Sequence, residues 1–198
     1  ANSAIDFIKL NTAKSKPWFV YLPFDAPHHP GNLNIEPGEE NIFKAPDYAF
    51  EPYNISPDTR DTRQRFNAVV TAIDMAIGRV MKTLDSLGIS ENTFVFFYSD
   101  NGAFQRFLDI QSNYPLRGAG VTLWEGGIRV PALAKWPGKI AAGSVNDAIL
   151  WSLDLMPTCA NLAAAPLPQK RFIDGEDLLP VLTNKKERSS HAALFFEY

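Results

Sequence analysis

The sequence predicts an α/β fold, on three observations. Two short runs, "PWFVYLPF" (Pro17 to Phe24) and "TFVFFYS" (Thr93 to Ser99), are dense in aromatic and β-branched residues, the composition of buried strands. Between them Phe66, Val70, Ile73, Ile77, Val80, Leu84 and Leu87 recur at spacings of three and four, drawing one apolar stripe along a helix. A helix that feeds a strand in this way packs on a sheet, and strands alternating with helices make α/β the expected class.

Taken in order, the opening "ANSAIDFIKLNTAKSKPWF" reads as the end of a helix running straight into a strand, as if the chain began inside a larger fold. It has no basic start followed by an apolar core, so it does not read as a signal peptide. The first strand, Trp18 to Phe24, leads into the polar loop "DAPHHPG", which places His28 and His29 just past its carboxyl end. A long proline-rich loop spans 31–57, and loops of that length inside a domain are usually functional. The helix follows from Asp61 to Leu87, and Gly88 stops it at the position after the C-cap. Asp74 lies beside its stripe and reads as a helix-edge carboxylate rather than a functional one.

The second strand runs from Phe94 to Ser99 and ends on Asp100, Asn101 and Gly102. A glycine-rich loop extends to Gly127, and "IRVPALAKWPG" then reads as a short strand with a Pro-Gly turn. In "VNDAILWSLDLMPTCANLAAAP" an extended piece precedes a helix capped by Ser152 or Asp154, with Pro157 tolerated in its first turn. Cys159, the sole cysteine, falls in that helix among alanines and leucine and reads as a packing residue. A short helix, a charged loop and an incipient strand close the chain.

Composition bounds the function. A chain of 198 residues, 45% apolar and 21% charged, can bury a core of its own. A net charge of −3 argues against a general nucleic-acid binder, which would carry a basic surface. One cysteine permits neither an intrachain disulfide nor a cysteine-rich zinc site. No run is long and apolar enough to span a membrane.

The chemistry concentrates at Asp100-Asn101-Gly102. Asp-Asn-Gly is good turn chemistry, and a turn is one reading. A ligand site at the carboxyl end of a strand is the other, because open α/β sheets bind ligands there. If the two apolar strands are parallel neighbours, His28 or His29 shares a rim with Asp100 and Asn101. A carboxylate and a carboxamide oxygen suit Ca²⁺ or Mg²⁺ and are poor for Zn²⁺. An imidazole nearby suits proton transfer. Two ligands are still too few, since Ca²⁺ takes about six to eight oxygens.

The segments "PWFVYLPFDAPHHP", "FFYSDNGA", "LRGAGVTLWEGGIRVPALAKWPG", "WSLDLMPTCANLA" and "DGEDLLPVL" occur in the order and approximate spacing of the type I, formylglycine-dependent sulfatases. The chain resembles this arylsulfatase-like family of the alkaline-phosphatase-like superfamily from about Ile5 to Tyr198. The resemblance implies a three-layer sandwich around a central, largely parallel sheet, incomplete at the N-terminus. Residues 1–198 would then be the middle to C-terminal part of a catalytic domain, lacking the nucleophile segment and the C-terminal subdomain. It implies hydrolysis of a sulfate ester, possible carriers including a sulfated glycan, at a site holding Ca²⁺, with Mg²⁺ as the alternative. Asp100 and Asn101 match the metal-ligand pair, and His28 matches the histidine that contacts the sulfate or its leaving group. His29 falls on the variable position beside it and reads as a surface loop residue. A periplasmic or secreted location is the family's usual one.

The departures are equally specific. No Cys-x-Pro-Ser-Arg motif is present: Cys159 precedes Ala160-Asn161-Leu162-Ala163, and in "SPDTR" (Ser56 to Arg60) the proline stands one place early. The nucleophile is therefore expected outside this sequence, and the isolated chain is expected to be inactive and to need further chain for stability. Gly120 occupies the place of the lysine that the family sets five residues before the glutamate of Glu-Gly-Gly. Losing such a cation costs roughly 3–4 kcal/mol of barrier if it resembles loss of one oxyanion donor. Arg117, three residues upstream, either reaches in as a replacement or anchors the loop. Two other functions stay open on these departures: a pseudo-enzyme that binds an anion, glycan or partner, and a phosphate or phosphonate ester hydrolase of the same superfamily.

Overall fold

The computed structural model describes residues 1–29 and 43–196. These fall into two compact units, Ala1–Gly88 with Arg106–Ser112, and Ile89–Gln105 with Asn113–Tyr198.

The first unit is built on two helices. The expected helix end at the start of the chain is α1, Asn2–Ala13, which buries Ala4 and Ile8 one turn apart and packs on α2. Helix α2 spans Thr62–Ser86 and has both expected ends. The Asp61 side chain accepts the Gln64 amide at 2.8 Å, and Gly88 follows the C-cap at φ 67°. Asp74 is exposed on it.

Of the long loop expected over 31–57, residues 31–42 lie outside the described residues. The remainder is more ordered than its prolines suggest. Two 3₁₀ turns, Asp47–Ala49 and Glu51–Tyr53, press Ala49 and Phe50 against Ala68 of α2. Arg65 holds this loop from the helix side. Its Nε donates to the Phe43 carbonyl, and its Nη1 donates to the carbonyls of Pro57 and Thr59, all at 2.9 Å. Its guanidinium lies over the Phe50 ring, 5.7 Å from the centroid. Replacing Arg65 with alanine removes three charge-assisted bonds, and is expected to lower stability by about 2–3 kcal/mol. A urea midpoint within experimental error of wild type would show that water serves those carbonyls equally well.

The predicted strand Trp18–Phe24 forms no ladder among the described residues. Its burial does alternate as a strand's would, with Trp18, Val20, Leu22 and Phe24 half-buried and Phe19, Tyr21 and Pro23 exposed. A run that is apolar on both faces needs a partner strand to sit in a sheet, and no described segment pairs with it.

The second unit contains the one sheet among the described residues. Strand β1, Val95–Tyr98, pairs with β2, Ala132–Lys135, in register Val95↔Lys135 to Tyr98↔Ala132. The pair is antiparallel, and the largely parallel central sheet that the resemblance implies is not seen among the described residues. The connection explains the direction. No crossover helix carries the chain back to the start of β1, so it returns beside Tyr98, where Ser99 N donates to Pro131 O at 3.2 Å. Phe94, Phe96 and Tyr98 line one face of β1 in contact order, and Trp136 meets Phe94 at 5.9 Å between centroids.

The rest of this unit is held by polar groups. Helix α3, Glu125–Ile128, precedes β2. Helix α4, Leu155–Leu162, follows a 3₁₀ turn at Ser152–Asp154. Asp154 stands at the N-cap position as expected, but its carboxylate makes no cap bond to α4; it reaches back to Trp151 N at 2.7 Å. Helix α5 is Leu179–Leu182, and the incipient strand expected near the chain end is irregular over its described part.

Candidate functional site

The Asp-Asn-Gly turn is tied at every step. Ser99 Oγ donates to Asn101 O at 3.0 Å, and Asn101 N donates to Asp100 Oδ1 at 3.0 Å. Asn101 Nδ2 donates to Gly102 O at 2.9 Å, which holds the carboxamide against the turn. Asp100 is exposed and Asn101 half-buried. The sequence thus supplies a turn with a carboxylate on its rim, and the turn and ligand readings describe the same backbone.

That turn is knitted to the glycine-rich loop. Gly102 N donates to Gly127 O at 3.0 Å, Gly120 N to Ala103 O at 2.8 Å, and Gly126 N to Arg117 O at 2.7 Å. Asn113 acts as a clamp that sequence reasoning missed. Its Oδ1 accepts Ala103 N at 2.7 Å, while its Nδ2 donates to Ala103 O at 2.9 Å and Gly118 O at 3.1 Å. One carboxamide therefore copies a backbone strand's donor and acceptor. The glycines permit the approach: a Cβ on Gly102 would lie 1.8 Å from Gly126 O.

Gly120 sits inside this knit. A Cβ there would lie 2.6 Å from Gly102 O and 3.4 Å from Asn101 Nδ2. The backbone at the family's lysine position is thus packed directly on the Asp-Asn-Gly turn. Arg117 stacks on Trp124, its guanidinium carbon 3.6 Å from the ring centroid, which is the loop-anchoring arrangement of the two readings.

In the first unit, His28 is exposed in a turn that closes through His28 N to Asp25 O at 3.0 Å, after a cis Ala26–Pro27 bond. His29 is not the surface loop residue expected. It is half-buried, with its ring 5.3 Å from Phe43 and 5.0 Å from Phe107, and Arg106 Nη2 reaches its Nδ1 at 2.7 Å. Cys159 is half-buried in α4, where burial pushes its thiol above the usual range, in keeping with a packing role.

Donor chemistry at the Asp-Asn-Gly turn fits a hard cation in part. Asp100 and Asn101 offer two oxygens of the right kind, whereas Ca²⁺ needs about six to eight. Among the described residues no group of three or more His, Cys, Asp or Glu side chains is arranged to hold a metal.

A sequence model of the family described as Sulfatase matches residues 1–165. The chain belongs to the sulfatase family. Curated sulfatases agree: the N-acetylgalactosamine-6-sulfatase of Canis lupus familiaris is 40% identical over 181 residues, 90% of this chain and 31% of its own length. The steryl-sulfatase of Rattus norvegicus is 34% identical over 201 residues, 98% of this chain and 31% of its own. This sulfatase chain therefore spans about a third of the length of the curated relatives it matches. Among solved structures it is similar to Ps i-CgsB, with TM-score 0.77 and 30% identity over 93% of this chain and 38% of that one. The PsFucS1 sulfatase from Pseudoalteromonas sp. matches with TM-score 0.72 and 28% identity, over 92% of this chain and 33% of that one. The sulfatase fold is thus shared, although the described residues of this chain hold only a two-stranded piece of sheet.

Proposed function

We propose that the protein hydrolyses a sulfate ester carried on a sugar. The similarity to an N-acetylgalactosamine-6-sulfatase, 40% identical across 90% of this chain, carries this reading. A sugar substrate is favoured further because Ps i-CgsB, similar over 93% of this chain, was crystallised with k-i-k-neocarrahexaose. The steryl-sulfatase match makes an apolar alcohol the competing carrier.

In this reading Asp100 and Asn101 are two of the oxygen ligands of a divalent cation, Ca²⁺ with Mg²⁺ as the alternative. The cation would supply electrostatic stabilisation to the charge on the sulfate oxygens. His28, exposed beyond its turn, holds or transfers a proton at the leaving oxygen. Asn113 and the amides of Gly102 and Gly120 keep the Asp-Asn-Gly turn in one conformation, so the ligands need not be ordered on binding. The formylglycine nucleophile and the remaining ligands come from sequence other than these residues. A central, largely parallel sheet completed by further strands, and a periplasmic or secreted location, belong to the same reading.

A specific observation favours a second reading. Gly120 is packed backbone to backbone where the family sets a lysine, and Arg117 is engaged on Trp124. A site short of that cation could bind a sulfated glycan without turning it over. Sulfate release from an N-acetylgalactosamine 6-sulfate oligosaccharide by the full-length protein separates the two. Turnover that falls at least about a hundredfold in Asp100→Ala is expected, the scale of losing an electrostatic contact to the reacting group. Binding without release would select the pseudo-enzyme, and release of phosphate from the matching phosphate ester instead would select the superfamily's other chemistry.

A further inference from the structure

We infer that Arg117 binds the sulfate group of the substrate through the free edge of its guanidinium, in the loop where Gly120 leaves no room for a lysine. The inference rests on the sulfatase reading above and names the residue by which that site recognises its anion.

Arg117 belongs to the same compact unit as Asp100 and Asn101, and backbone contacts set it beside them. Gly126 is the shared neighbour. Its amide donates to Arg117 O at 2.7 Å, and a Cβ on Gly102 would lie 1.8 Å from its carbonyl oxygen. Asn113 Nδ2 spans the same gap, donating to Ala103 O and Gly118 O, which follow Gly102 and Arg117 in the chain. Arg117 is thus one peptide unit from the Asp-Asn-Gly turn. Gly120 also packs on that turn, but a Cβ there would already stand 2.6 Å from Gly102 O, so a longer side chain begins only by displacing backbone.

The arginine is held in one pose. Its guanidinium carbon is 3.6 Å from the Trp124 ring centroid, so close that the group lies along the ring rather than pointing into it. Gly118, at φ 92°, makes room for the indole: a Cβ there would stand 2.5 Å from Trp124 Cβ and 3.1 Å from its Cδ1. Stacking occupies a face of the guanidinium and leaves its five N–H donors unused.

Those donors are not spent on carboxylates. Arg117 is exposed, and no acidic side chain pairs with it among the described residues. Glu125, next to Trp124 in sequence, meets Arg129 at 3.3 Å instead, and Asp100 Oδ1 accepts Asn101 N. A loop anchor needs the stack alone, so anchoring leaves the edge of the fork open. That edge matches two oxygens of a tetrahedral oxyanion, and a fork already fixed on its ring loses little freedom in taking them. The loop lacks a lysine at position 120, yet it presents a cation.

The test uses the full-length protein with N-acetylgalactosamine 6-sulfate as substrate and its two products, inorganic sulfate and N-acetylgalactosamine, as inhibitors. In Arg117→Ala the inhibition constant for inorganic sulfate is expected to rise about tenfold to a hundredfold, the scale of one charge-assisted hydrogen bond, while that for N-acetylgalactosamine holds. Arg117→Met, which keeps a stem to lie on Trp124 without the charge, should behave as alanine does. Arg117→Lys should recover part of the sulfate inhibition, and Trp124→Ala should lose part of it by releasing the fork. An anchor alone would weaken both inhibitors together or neither; either result overturns the inference, as does inorganic sulfate that leaves wild type uninhibited. Should wild type release no sulfate from the substrate, the sulfatase reading falls by itself. Calorimetric titration with N-acetylgalactosamine 6-sulfate then decides: binding that is lost in Arg117→Met supports the assignment, and binding that is equal or absent in both proteins overturns it.

Discussion

Replacing Asp154 with alanine is expected to lower stability by about 3–5 kcal/mol, the scale of breaking a buried charged network from one side. Asp154 is 0% exposed and ties together three segments far apart in sequence. Its Oδ2 accepts Trp151 N at 2.7 Å, and its Oδ1 accepts both Glu176 N and His191 Nε2 at 2.8 Å. Beneath it Thr158, also 0% exposed, donates through Oγ1 to Asp154 O at 2.7 Å and accepts Leu178 N at 2.8 Å. Alanine would strand two part-buried backbone donors, and each such group costs about 1–3 kcal/mol when left without a partner. Asparagine keeps the shape but must turn an NH₂ toward one of those donors, so it should recover only part of the loss. His191→Ala leaves both backbone donors satisfied and should cost distinctly less. Urea denaturation of the three variants measures the order; an Asp154→Ala midpoint no lower than that of His191→Ala would show that the carboxylate is not the keystone.

The same corner carries an acid sensitivity with a definite sign. Burial raises the Glu176 carboxyl, but hydrogen bonds from Ser190 and the charges of His191 and Lys186 outweigh it and hold the group below its ordinary value. A depressed folded value means its contribution is complete above the unfolded carboxylate range and is lost as pH falls through the folded value. Glu176 therefore protects the attachment of Ser190, whose amide it accepts at 2.5 Å, down to mildly acidic pH.

Local sequence carried some elements completely and others not at all. Helix α2 was legible because its cap, its stripe and its glycine stop are all local. Its most buried face was less so: Ala68, Val69, Ala76, Thr83 and Leu84 are buried, whereas Val70 of the stripe is 42% exposed. Small residues add little to a hydrophobic stripe, yet Ala68 is what lets Ala49 and Phe50 come close. The composition of β1 marked it as a strand, but periodicity holds no information about direction, and the antiparallel partner arrives through a loop. The Asp-Asn-Gly turn was legible from its residue types; its clamp Asn113 was not, because a lone asparagine in a polar loop has no signature. His29 and Arg106 meet across 77 residues of sequence, a distance over which no local pattern reports.

Gly102→Ala is the second substitution expected to have a large effect, about 3 kcal/mol of stability at the upper end of ordinary overpacking. Its Cβ would stand 1.8 Å from Gly126 O, 2.9 Å from Gly126 C and 3.1 Å from Asn113 Oδ1. None of the three yields cheaply. Gly126 is bonded to Arg117 O at 2.7 Å, Gly102 itself to Gly127 O at 3.0 Å, and Asn113 to both ends of Ala103. The clash is relieved only if the Asp-Asn-Gly turn lifts away from α3, which opens the knit at Gly102, Gly120 and Ala103 together. Gly78→Ala is the control, because a Cβ at that helical position meets nothing within 4 Å. It should be neutral or stabilise by about 0.4–1 kcal/mol through the unfolded chain. Hydrogen exchange distinguishes a local lift from global loss. Faster exchange at the Gly102, Ala103 and Gly120 amides, with β1 still protected, is the expected pattern for Gly102→Ala. Unchanged protection at those amides would mean that the two loops are not interlocked, and the fixed presentation of Asp100 and Asn101 would lose its physical basis.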